Sequence, residues 1–115
     1  MALTPIIRAF SILIAGACLM AMEAKAATYA LLVGVGDYPQ LPAKLRLKGP
    51  GNDVSAIKMA FIEKGVPADH IRTLLDREAT FSNIQTAILR LTHEVDRGDV
   101  VVIYFSGHGS QTPVQ

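Results

Sequence analysis

Val100 to Phe105 reads Val-Val-Val-Ile-Tyr-Phe, six residues in a row without polar alternation. β-branched and aromatic side chains fit a pleated backbone. A strand facing water on one side alternates, so this unbroken run predicts a strand covered on both faces, as in parallel sheets. Thr28 to Val35 is a second nearly all-apolar run, and it closes in the turn material Gly36-Asp37-Tyr38-Pro39. Ile71 to Leu75 is a third, shorter run, closed by Asp76.

Two helical patterns separate these strands. Asn52 or Asp53 caps the first, which runs to Lys64 with Val54, Ile57, Ala60 and Phe61 at helical spacing. Gly65 is its stop, and Pro67 bars continuation. Thr80 caps the second, whose apolar stripe is Phe81, Ile84, Ile88, Leu91 and Val95, ended at Gly98. Residues 40–51 carry two prolines, two glycines and the basic residues Lys44, Arg46 and Lys48, and read as an exposed loop. Strands alternating with helices imply right-handed crossovers and an α/β fold, a parallel sheet with helices on its faces.

The first 26 residues have a different character. Arg8 is the lone charge before an apolar run, Ala9 to Met22, broken only by Ser11 and Gly16. Ala24 and Ala26 then form a small-x-small pattern. This is the layout of a signal peptide cleaved after Ala26, and it predicts an exported protein, periplasmic or secreted in a bacterium. The run is shorter than the roughly 18 residues of a membrane span, which weighs against an uncleaved anchor and predicts no stable span after cleavage. Ala15-Gly16-Ala17 ahead of Cys18 is a poor lipidation box. The chain holds eleven Lys/Arg and ten Asp/Glu, and without Arg8, Lys25 and Glu23 nine of each remain. A balanced charge gives no footprint for nucleic acid. Half the residues are hydrophobic, which excludes a disordered tail. Cys18 is the one cysteine, so no disulfide can form within the chain.

Open parallel sheets place their sites just past the carboxyl ends of the strands. Two segments there are unusual: Gly34-Val35-Gly36-Asp37-Tyr38, and Ser106-Gly107-His108-Gly109-Ser110-Gln111. A histidine between glycines can serve as a general base, and a free amide such as that of Gly109 can help hold an oxyanion. Position and spacing alone fit a surface histidine in a glycine turn equally well. Asp53 reads first as a helix cap. His70 and His93 read as solvated bystanders, and without a second ligand cluster a zinc site has no support.

Val101 to Gln111 closely resembles the histidine motif of metacaspases and other caspase-like peptidases. Ala30 to Tyr38 is similar to the family's first strand and its glycine-containing end, with Asp37 where Asn is frequent. Leu47-Lys48-Gly49-Pro50-Gly51-Asn52-Asp53-Val54 is similar to its Leu-x-Gly-x-x-Asn-Asp segment, with Pro50 where a cysteine is common. The likeness covers roughly residues 28–113. It implies the amino-terminal portion of a three-layer α/β/α caspase-haemoglobinase fold. It also implies a cysteine endopeptidase acting on protein or peptide substrates. His108 would be the general base of a Cys–His dyad, and the Gly109 amide an oxyanion donor. Asp53 would be the acidic residue that selects Arg or Lys before the scissile bond, and Ser106 a neighbour shaping that cleft. The resemblance implies no cofactor within this chain. Calcium, required by many metacaspases, would be bound by residues downstream.

The family's nucleophile lies on the strand after the histidine strand, in an Asp-x-Cys motif. Cys18 lies in the export segment and cannot fill that place. The expectation is therefore a fragment, inactive alone, with the nucleophile in sequence beyond Gln115. The competing reading is a non-catalytic caspase-like binding or scaffold module. A nucleotide-binding domain is disfavoured: Pro39 stands where the third glycine of the dinucleotide fingerprint belongs, and a long loop follows instead of a helix.

Overall fold

The structure is a computed structural model and describes residues 24–110. Arg8, Cys18 and most of the expected leader lie outside the described residues, as does Gln111. The elements run β1 (Thr28–Gly34), α1 (Gly49–Glu63), β2 (Ile71–Leu75), α2 (Phe81–Glu94) and β3 (Val100–Ser106). Single 3₁₀ turns occupy Ala43–Leu45, Ala68–His70 and Asp76–Glu78.

The strands form one parallel sheet in the order β2-β1-β3. The central strand is the one that needs cover on both faces, and its sequence meets that need. Ala30, Leu31 and Leu32 are 0% exposed and Val33 is 2% exposed. Successive side chains leave a strand on opposite sides. Ala30 and Leu32 pack with Val54 of α1 and Ile71 of β2 on one face. Leu31 and Val33 pack with Ala87 and Leu91 of α2 on the other. One helix on each face of a parallel sheet makes three layers, α/β/α, as expected. Among the described residues no helix is long and apolar enough to cross a membrane.

Four expectations are corrected. First, α1 begins at Gly49 with Lys48 as its N-cap residue, so Asn52 and Asp53 stand inside the helix and cap nothing. Pro50 explains the early start: in a first turn its missing N–H is no loss, its φ is preset, and here it is buried. Secondly, residues 40–51 are therefore not one exposed loop, since they contain a 3₁₀ turn and the start of α1. Thirdly, among the described residues β3 is an edge strand covered on one face only. Val102 and Tyr104 pack towards α1, while Val101, Ile103 and Phe105 are 41%, 45% and 58% exposed. Fourthly, α2 turns Ile84, Ala87 and Leu91 inward, while Phe81 and Ile88 stay exposed.

Candidate active site

The parallel register sets Gly34 beside Leu75 and Ser106, so all three strands end together. The segments leaving the three strands meet at this edge. Ser106 is half-buried at the end of β3, and its carbonyl accepts the Val35 N–H at 2.9 Å. The chain then leaves the sheet through Gly107. A Cβ there would stand 2.6 Å from the Tyr38 hydroxyl oxygen, so only glycine admits that contact.

His108 is held twice. Its backbone N–H donates to the Tyr38 hydroxyl at 2.7 Å, and the two rings lie 5.0 Å apart, tilted by 53°. Its Nε2 lies 2.6 Å from the Leu45 carbonyl oxygen in the 3₁₀ turn. A carbonyl only accepts, so this contact calls for a proton on Nε2, and in the neutral ring Nδ1 then keeps the lone pair. The imidazole is solvent-exposed. Among the described residues the Gly109 amide has no hydrogen-bond partner.

The loop carrying Tyr38 is itself tied down. The Gly36 and Asp37 N–H groups both donate to Asp76 Oδ1, at 2.9 and 3.0 Å. The Gly36 carbonyl accepts the Leu47 N–H at 2.8 Å, and a Cβ on Gly36 would collide with the Leu47 carbonyl. Arg46 Nε lies 3.1 Å from Asp37 Oδ1, but both side chains are over a third exposed. Such a surface pair is worth at most about 1 kcal/mol. Asp76 has φ 46°, a left-handed conformation that Asp and Asn tolerate better than other side chains. The two amides, that of Asp37 foremost, hold its carboxyl below the usual carboxylate range against a slight opposing effect of burial.

Asp53 is exposed on the second turn of α1. That helix start abuts the same sheet edge, because a Cβ on Gly34 would stand 2.9 Å from the Pro50 carbonyl oxygen. No hydrogen bond or ion pair joins Asp53 to His108 among the described residues. His93 is exposed. His70 corrects its expectation: it is half-buried, stacks on Tyr29 at 4.1 Å and 11°, and sets Nδ1 3.2 Å from the Thr28 carbonyl oxygen. That is a packing role at the opposite end of the sheet. No three His, Cys, Asp or Glu side chains converge among the described residues.

Sequence reasoning gave Tyr38, Leu45 and Asp76 no part in holding His108. Tyr38 was visible inside a singled-out segment. The other two act through contacts 63 and about 40 residues away in sequence, and no local pattern signals those.

The family described as Caspase domain matches residues 27–114, which takes in every residue of this edge. Metacaspase-4 of Arabidopsis thaliana is 35% identical over 92 residues, covering 75% of this chain and 21% of its own length. Metacaspase-6 of the same plant is 32% identical over 92 residues, with 75% and 24% covered. Metacaspase-1 of Candida albicans is 33% identical over 92 residues, with 75% and 20% covered. The chain thus spans about a fifth to a quarter of the length of these three relatives. A parallel sheet whose strand ends gather around one fixed histidine, matched from residue 27 to residue 114, belongs to the caspase-domain family of cysteine peptidases and stands with the metacaspases within it.

Proposed function

We propose that this chain supplies the histidine and specificity half of a cysteine endopeptidase cutting after Arg or Lys, with the thiol contributed by sequence outside residues 1–115. The observation that carries this reading is the Nε2 contact of His108 with the Leu45 carbonyl, which in the neutral ring leaves Nδ1 as the acceptor nitrogen. In the reaction, Nδ1 takes the thiol proton and the thiolate attacks the scissile carbonyl carbon. The oxygen that becomes anionic is met by the Gly109 N–H. The imidazolium then returns the proton to the leaving amine, and the acyl-enzyme is hydrolysed by water activated at the same Nδ1.

Asp53 is the candidate partner for a basic residue before the scissile bond, by charge-assisted pairing, with Ser106 shaping the cleft beside it. Its exposure and its freedom from a capping role leave the carboxylate available. We also propose export, with cleavage after Ala26. Ala24, Lys25 and Ala26 are exposed just ahead of β1, and the family match starts at residue 27. Intact mass of the exported product tests that, and retention of residues 1–26 removes it.

Reading the gene beyond codon 115 is the first test. A downstream Asp-x-Cys motif is expected, and its absence in every frame leaves the scaffold reading. In a chain carrying that motif, His108→Ala abolishes cleavage of Arg and Lys peptides without changing the circular dichroism; undiminished cleavage removes the dyad. Asp53→Ala lowers kcat/KM for basic substrates at least about tenfold, one charge-assisted contact. As a surface change away from any cap, it alters stability by less than about 0.5 kcal/mol. Unchanged specificity removes the pocket assignment.

A further inference from the structure

We propose that Asp76 is the positioning residue of this site, setting the orientation of His108 from the far side of the sheet. The inference rests on the peptidase reading for its meaning and on independent geometry for its content. Asp76 stands at the end of β2, while His108 follows β3, and β1 lies between them. One carboxylate oxygen, Oδ1, accepts the consecutive Gly36 and Asp37 amides. Both restraints on His108 depend on that short stretch. The residue after Asp37 is Tyr38, whose hydroxyl accepts the His108 backbone N–H. The carbonyl of Gly36 accepts the Leu47 N–H, which holds the chain two residues from the Leu45 carbonyl that meets Nε2. A single oxygen thus fixes the histidine backbone through Tyr38 and its ring through Leu45.

A turn residue chosen only for its left-handed backbone would leave this linkage unexplained. Glycine satisfies that conformation more easily than Asp does. Asp76 instead combines the conformation with an acceptor aimed at two amides of another loop. This separates the two roles by substitution. Asp76→Gly keeps the backbone conformation and deletes the acceptor. Asp76→Asn tolerates the conformation and keeps an oxygen acceptor without charge.

The test uses the full chain labelled with ¹⁵N. The ring nitrogens of His108 report its tautomer, and amide exchange reports the Gly36 and Asp37 bonds. Wild type is expected to show the Nε2–H form. Asp76→Gly is expected to give a mixed tautomer and at least about tenfold faster exchange at both amides, since each loses its acceptor. Asp76→Asn is expected to restore the wild-type ring signature. A wild-type ring signature and exchange in Asp76→Gly overturn the proposal. Should Asp76→Gly lose the dispersed core signals of Leu31 and Leu91, Asp76→Asn decides: a retained ring signature supports the proposal and a mixed one overturns it. None of these readouts requires peptide cleavage. Failure of the peptidase reading is therefore seen separately, as a fixed histidine in a protein that cuts nothing.

Discussion

Asp99 sits where the chain enters β3, and both of its oxygens are engaged. Oδ1 accepts the Ala27 N–H at 2.8 Å and Oδ2 accepts the Asp96 N–H at 2.9 Å. The Asp96 amide foremost, then the Ala27 amide, hold its carboxyl below the usual range; the charge of His70 adds to this and slight burial opposes it. Asp76 is lowered in the same direction by the Asp37 and Gly36 amides. A folded pKa below the unfolded value of about 3.9 means stabilisation that is present above that value. It is lost as pH falls through the folded pKa. The urea midpoint is therefore expected to hold steady down to about pH 5 and to drop as the pH falls further through the lowered folded pKa values, and Asp99→Asn to flatten that drop by removing one contributing carboxylate. An unchanged acid slope in the variant would assign the drop to other groups.

The elements differ in how far their own residues announce them. Thr80 caps α2 through its hydroxyl oxygen, which accepts the Asn83 N–H at 3.1 Å. Thr80→Ala is expected to cost about 1 kcal/mol in chemical denaturation, and a loss below about 0.3 kcal/mol would deny the cap. This cap, the three strands and the glycine stop of α1 are legible in the sequence because their causes lie within a few residues. Gly65 takes φ +90° just past α1, whereas α2, expected to run on to Gly98, ends at Glu94 with Val95 already extended as its cap. The start of α1 is not legible, because burial of Pro50 against the sheet edge overrides the local preference for Asp as a cap. The inward face of α2 is set by where Leu31 and Val33 stand, so Phe81 fits the helical stripe yet stays exposed. The candidate site divides the same way. His108, Gly109 and Ser106 belong to one contiguous segment. The stack of His70 on Tyr29 and the amide bonds of Asp76 join residues some 40 positions apart and become visible only when β1 and β2 pair.

For the whole molecule, the uncovered half of the sheet matters most. α2 covers β1 and β2, and the outward residues of β3 continue that apolar face with no helix over them among the described residues. An edge strand of seven residues without a charged side chain is a template for pairing. The isolated chain is expected to associate with rising concentration, and Ile103→Lys to suppress it, as read by light scattering. A wild-type chain that stays monomeric at every concentration would show that the edge is already protected. The relatives are four to five times longer than the stretch they share with this chain, which leaves ample sequence in such a protein for covering the face.

The Leu45 carbonyl has a consequence for genetics. The group that orients the imidazole belongs to the main chain, so every residue type at position 45 carries it. An alanine scan would pass over this position and record it as tolerant. The contact becomes visible to mutation only through the side chains that hold the loop in place, or through an ester in place of the amide on the carboxyl side of Leu45, which weakens the acceptor without altering any side chain.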